Sequence, residues 1–174
     1  VCQGECPAAI VDAVAGFSAE GGHRFVLNLA PVIDVGLGAL RTSDPLIVNE
    51  SEAQSLLARF DADAAASLAE ALHSALGVPV VVTRGAQGAD VVDNGGELAH
   101  VPAPTLTGPV VDSTGAGDAL VGGTAAALAA GQSLVDAVRA GAGAAKNVLS
   151  MRGAAGVRPD AGQHDQAGRG EAIR

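Results

Sequence analysis

The run Val111-Asp112-Ser113-Thr114-Gly115-Ala116-Gly117-Asp118-Ala119-Leu120-Val121-Gly122-Gly123 joins an apolar strand end, a small-residue turn and a helix start to one carboxylate. Gly115 and Gly117 let the backbone turn tightly and approach a ligand with no Cβ in the way. The first N–H groups of the following helix have no partner within it. With a macrodipole worth roughly +0.5 charge, they form a site for an anion such as phosphate. Asp118 stands where that helix begins, and two readings follow. It takes a proton from an attacking hydroxyl while the amides neutralise charge on a transferring phosphoryl group, or it caps the helix and the glycines only turn the chain. The spacing fits neither the Gly-x-Gly-x-x-Gly dinucleotide pattern nor the P-loop pattern. The sole lysine, Lys146, lies elsewhere.

Three further segments carry polar groups to strand ends. Asn49-Glu50-Ser51-Glu52 follows a short apolar strand, at the edge where open α/β sheets bind ligands. The same residues also suit a helix cap, with Asn49 as N-cap and acids in the first turn. Val80-Val81-Val82-Thr83 runs into the turn Arg84-Gly85-Ala86-Gln87-Gly88. Glu5, in Gln3-Gly4-Glu5-Cys6-Pro7, sits between a strand end and a helix, where an acid needs no function to explain it. His23, His73, His100 and His164 show no metal or triad spacing. Cys2 and Cys6 lack the Cys-x-x-Cys spacing and have no second pair, and read as ordinary reduced thiols.

Helical and strand patterns alternate, the signature of βαβ units in a mostly parallel sheet covered by helices. Strands are expected at Val1–Gly4, Arg24–Asn28, Leu46–Val48 and Val78–Thr83. Another strand should end at Val110-Val111. Ala89–Val92 and Leu98–Val101 flank Asn94-Gly95, a hairpin signal that makes this part of the sheet antiparallel. Helices are expected over Ala8–Ser18, a turn at Val35–Arg41, Glu50–Phe60, Ala62–Leu76 capped by Asp61, Ala116–Ala130, and Leu134–Leu149 with Ser133 and Asp136 spaced as a capping box. From Asp160 to Arg174 the sequence is polar and Gly-rich with no apolar period, the pattern of a disordered tail.

The 174 residues suffice for one domain with a sizeable core, and 48% hydrophobic content with 17% charged residues reads as globular. Three Phe and no Trp or Tyr leave a core of Ala, Val and Leu and argue against stacking on nucleic-acid bases. A net charge of −9 argues against a phosphate-backbone partner. No apolar run reaches the roughly 20 residues a membrane span needs, and no signal segment opens the chain, so a cytoplasmic protein is expected. The chain opens at Val1, apparently mid-strand, which reads as a fragment.

Asp112 to Gly123 closely resembles the second signature of the ribokinase-like sugar kinases, the PfkB family. Four other segments follow the family's order: Gln3-x-Glu5, Asn28-x-Ala30-Pro31, Asn49-x-x-Glu52 and Thr83-x-Gly85-x-x-Gly88. The resemblance covers residues 1–159, the C-terminal half to three-fifths of a typical member. It implies a three-layer αβα sandwich and ATP-dependent phosphorylation of a sugar's primary hydroxyl. The Gln-x-Glu and Asn-x-Ala-Pro details favour ribose over another sugar or a nucleoside.

By resemblance, Asp118 is the catalytic base, the amides of Gly115, Ala116 and Gly117 form the anion hole, and Glu5 contacts sugar hydroxyls. Asn49 and Glu52 organise Mg²⁺ and the nucleotide phosphates, Glu52 through water and phosphate oxygens. Thr83, Gly85 and Gly88 lie near the nucleotide phosphates and ribose. Gly141 and Ala142 flank the adenine, opposite the segment after the hairpin. Asp112, the carbonyl of Thr114 and backbone near Gly153 correspond to a site for a monovalent cation, K⁺ in the family, although Val157 stands where related kinases often carry a Ser. The resemblance also implies a missing N-terminal region with further strands, a sugar clamp and a dimerising lid. The full-length form is then a homodimer, and the isolated chain is weakly active, inactive, or a nucleotide-binding remnant.

Overall fold

The computed structural model describes residues 1–60, 67–106, 108 and 112–149. The expected strand end at Val110-Val111, the cap Asp61, Gly153, Val157 and the tail from Asp160 lie outside the described residues. Six strands form one sheet in sequence order: β1 (Cys2–Gln3), β2 (Phe25–Asn28), β3 (Ser43–Asn49), β4 (Val80–Thr83), β5 (Ala89–Val92) and β6 (Leu98–Val101). The first four are parallel, and β5 and β6 continue the sheet antiparallel.

The β-branched and leucine-rich strands alternate faces with the period of two that a pleated strand imposes. Phe25, Leu27, Leu46, Val48, Val80 and Val82 pack on one face, against α1 (Ala8–Gly21), α2 (Leu37–Thr42), α3 (Glu50–Leu57) and α4 (Leu68–Leu76). Val26, Ile47 and Val81 point to the other face and meet α5 (Ala116–Ala129) and α6 (Leu134–Leu149). All helices joining the parallel strands share one face because the crossovers have one hand. The result is the expected three-layer sandwich. Among the described residues, no helix is long and apolar enough to cross a membrane.

Several expected boundaries shift for identifiable reasons. Strand β3 begins at Ser43 rather than Leu46, although Pro45 has no N–H for the ladder. It fits because the β2–β3 register slips between Phe25 and Leu27 and the β4 partner begins only at Leu46. Helix α3 ends at Leu57, and Arg59 and Phe60 continue as a tighter turn. The described helix α4 starts at Leu68, where Ser67 accepts the Glu70 N–H and donates to the Glu70 carboxylate. The hairpin loop spans residues 93–97, and its positive φ of 75° is at Gly96. Asp93 takes the Gly95 N–H through its side chain, so the loop is longer than a two-residue Asn-Gly turn.

Candidate active site

The parallel strands end in a row of polar side chains. Gln3 closes β1, Asn28 closes β2, Asn49 closes β3 and Thr83 closes β4. Register sets Gln3 beside Asn28 and Asn49 beside Thr83. The N-terminus of α5 comes over this edge, bringing Asp118 to the same side. Asn28, Asn49, Glu52, Thr83 and Asp118 line one small cleft of about 250 Å³.

The turn before α5 is made as its glycines allow. Gly115 is the N-cap at φ 79°, ψ 1°, a left-handed conformation that favours glycine. Asp118 stands at the third helical position, not at the cap, and its Oδ1 accepts a hydrogen bond of 2.7 Å from Gln3 Nε2. Gly117 is exposed, with open space where a Cβ would stand. The Ala116 N–H is spent differently from the expectation, since it donates to the Ser113 carbonyl at 3.2 Å. Asp112 Oδ1 likewise accepts the Thr114 N–H at 2.9 Å.

Asn49 and Glu52 satisfy both of their readings. Asn49 Oδ1 accepts the Glu52 N–H at 2.9 Å and Glu52 Oε2 accepts the Asn49 N–H at 2.8 Å, a complete capping box. The same pair lines the cleft that holds Asp118. The box holds one Glu52 oxygen. Asn49→Ala therefore removes an N-cap and is expected to cost about 0.5–2 kcal/mol, read as a fall in the midpoint of thermal unfolding followed by circular dichroism.

A larger cleft of about 560 Å³ opens beside the small one. Its walls are the β4–β5 turn with Gly85 and Gly88, the segment Ala103–Leu106 after the hairpin, and Ala142, Ala145 and Lys146 of α6. Gly88 is required there. Its φ is 94° and an added Cβ would stand 2.1 Å from the Val101 carbonyl oxygen. Thr83, Gly117 and Leu120 line both clefts, so an apolar slot leads across the glycine turn to the carboxylates.

Three placements depart from expectation. Glu5 is exposed and lines neither cleft, because the chain turns away after Gln3. Gly141 is buried between α5 and α6 rather than facing the larger cleft, and Ala142 alone of that pair reaches the cleft wall. The expected anion hole keeps Gly117 facing both clefts but has the Ala116 N–H engaged. Sequence reasoning also missed Gln3 as a partner of Asp118, and missed Arg84. Arg84 bonds Glu50 Oε1 and Asp90 Oδ2, each at 3.3 Å, and the other Asp90 oxygen meets His100 Nδ1 at 2.8 Å. This network ties the start of α3 to the hairpin. No spacing rule links positions 34 residues apart.

Metal sites divide by chemistry. Among the described residues no three His, Cys, Asp or Glu side chains gather as a protein cage. Glu52, with one oxygen held and a glycine turn opposite, fits Mg²⁺ that is shared with phosphate oxygens and water. For a monovalent cation, Asp112 and the Thr114 carbonyl are in place on one turn, and Gly153 lies outside the described residues. Cys2 and Cys6 are free, half-buried thiols, and burial pushes the Cys2 thiol up from its ordinary pKa.

Comparison with known proteins agrees with this geometry. Residues 1–161 match the family model described as pfkB family carbohydrate kinase. Ribokinase of Schizosaccharomyces pombe is 31% identical over 164 residues, spanning 91% of this chain and 51% of that protein. Adenosine kinase of Saccharomyces cerevisiae is 32% identical over 134 residues, spanning 70% of this chain and 39% of that protein. The solved structure of Arabidopsis thaliana ribokinase complexed with ribose and ATP superposes with a TM-score of 0.77 at 25% identity, over 87% of this chain and 49% of that one. The chain thus spans about half the length of the curated ribokinase it matches. With the family model matching residues 1–161 of the 174, the chain belongs to the pfkB family of carbohydrate kinases.

Proposed function

We propose that the chain carries the nucleotide-binding and catalytic part of an ATP-dependent sugar kinase that phosphorylates the primary hydroxyl of ribose. The observation that carries this reading is the meeting of the two clefts at Thr83 and Gly117, with Asp118 on the wall of the smaller one. The larger cleft is long and mostly apolar, suited to adenosine between Ala103–Leu106 and α6. Its phosphates then run over Gly85, Gly88 and the Gly117 amide toward Asp118. Asp118 accepts the proton of the sugar hydroxyl as that oxygen attacks the γ-phosphorus. The N-terminal dipole of α5 and the Gly115 and Gly117 amides offset charge on the transferring group. Mg²⁺ held near Glu52 would supply charge neutralisation between the phosphates, and K⁺ near Asp112 and Thr114 would add a fixed positive charge beside the turn.

Similarity to ribokinases, one of them solved with ribose and ATP, favours ribose as acceptor. Similarity to an adenosine kinase keeps a nucleoside as the second candidate. Ribose as a furanose and adenosine each offer a primary hydroxyl on the carbon next to the ring. A dimer formed through a lid is part of the same proposal for the full-length protein. A second reading is a nucleotide-binding module that transfers nothing, favoured by Glu5, which is exposed and lines neither cleft.

The test is to follow ADP formation by the full-length protein from Mg-ATP with ribose, adenosine or no acceptor, and to titrate Mg-ATP calorimetrically into the same protein. Ribose-dependent ADP with a phosphorylated sugar in the ³¹P spectrum is the expected result. Adenosine-dependent ADP reassigns the acceptor. Heat of binding without acceptor-dependent ADP supports the module, and neither heat nor ADP overturns both readings.

A further inference from the structure

Asn28 and Gln3 form a chain of side-chain amides that ends on Asp118. Asn28 is only 8% exposed, and its amide orientation is fixed by its neighbour. The Ile47 carbonyl can only accept, so Asn28 presents Nδ2 to it, at 3.1 Å. This turns Asn28 Oδ1 toward Gln3, whose Nε2 lies 3.5 Å away. The same Nε2 donates to Asp118 Oδ1 at 2.7 Å, the length of a charge-assisted bond. The opposite setting of Gln3 would set its carbonyl oxygen against both Asn28 Oδ1 and the Asp118 carboxylate, three acceptors with no proton between them. Direction therefore passes from a backbone carbonyl in the sheet, through two amides, to the carboxylate on α5.

We infer that Gln3 is a positioning residue for Asp118, locked by Asn28, which holds Oδ1 and leaves Oδ2 as the oxygen that takes the proton. The inference rests on the kinase reading above. In the transfer, the acceptor O–H bond breaks and its proton goes to Oδ2. The hydroxyl oxygen keeps the electron pair and bonds the γ-phosphorus. The bond from that phosphorus to the bridging oxygen breaks, and ADP leaves with those electrons. A carboxylate free to rotate would offer Oδ2 in the productive geometry only part of the time, and misplacement of about 1 Å can cost about 10²-fold.

The test uses variants at Gln3 and Asp118 in the full-length protein. Gln3→Leu removes the donor, and Gln3→Glu keeps the shape while replacing the donor by a carboxylate. Both are expected to lower kcat by roughly 10- to 100-fold while the KM for ATP stays within twofold. Against an Asp118→Asn background, Gln3→Leu should change the residual rate by less than about twofold, because the group it positions is gone. Equal losses in both backgrounds, or an unchanged kcat in either single variant, overturn the proposal while Asp118 remains the base. A parent without acceptor-dependent turnover, or full turnover in Asp118→Asn, sinks the kinase reading instead. A readout independent of turnover is hydrogen exchange of side-chain amides by NMR. The Gln3 amide should exchange more slowly than that of exposed Gln132 and lose the difference in Asp118→Ala, and equal rates in the parent overturn the contact.

Discussion

Asp118→Asn is expected to leave Mg-ATP binding intact and to lower the acceptor-dependent turnover of the intact protein by roughly 10² to 10⁴, as loss of a general base implies. The substitution changes one atom and keeps the volume, so α5 and its glycine turn retain their geometry. An asparagine oxygen at the same position still accepts from Gln3 Nε2, which now donates to Asp118 Oδ1. What disappears is an acceptor for the proton of the attacking hydroxyl. A loss of this size corresponds to about 3–5.5 kcal/mol of barrier, beyond what a changed surface charge supplies. The proposed function puts the nucleotide in the larger cleft, whose walls do not include Asp118, so the KM for ATP should move little. Steady-state kinetics with saturating ribose checks both parts. Full turnover in Asp118→Asn would show that the carboxylate only finishes the helix start, and a parallel loss of ATP binding would show that it holds the turn together.

Local chemistry made the Gly115–Asp118 turn and the Asn49–Glu52 box readable from the chain, because each is complete within a few residues. The strands read well for a similar reason, since a period of two is written into Phe25–Asn28 and Val80–Thr83. The parallel direction of the first four followed from alternation with helices, while their order in the sheet came only with the structure. The hairpin loop was less legible. Asn94-Gly95 looked like the turn, yet the positive φ falls on Gly96, whose N–H bonds the Asp93 carbonyl while the Asp93 side chain accepts the Gly95 N–H. The Gln3–Asp118 contact joins residues 115 positions apart, and no pattern in either neighbourhood announces it. Glu5 was placed by motif alone; β1 ends at Gln3, and two residues further on Glu5 is exposed and lines neither cleft.

Two glycines of one helix should respond to alanine with opposite signs. At Gly141 an added Cβ would stand 2.4 Å from both the Leu120 carbonyl oxygen and Thr124 Oγ1, and across the crossing a Cβ added at Gly123 would stand only 2.9 Å from the Gly141 Cα. Backbone atoms cannot swing aside, and Thr124 is fully buried. Gly141→Ala must therefore part α5 from α6 or distort the turn between them, and overpacking of this kind typically costs 1–3 kcal/mol. For a chain of this size each kcal/mol lowers the unfolding midpoint by roughly 2–4 °C. The same displacement moves α6, which carries Ala142, Ala145 and Lys146 into the larger cleft, relative to α5, which carries Gly117 and Asp118. Weaker Mg-ATP binding should accompany the lower midpoint. Gly143 lies on the same helix with open space where its Cβ would be, so alanine there only removes the roughly 1 kcal/mol helix penalty of glycine and should raise the midpoint. Calorimetric melts of the two variants decide the matter. If both fall or both rise, the close approach at Gly141 does not set the spacing of α5 and α6.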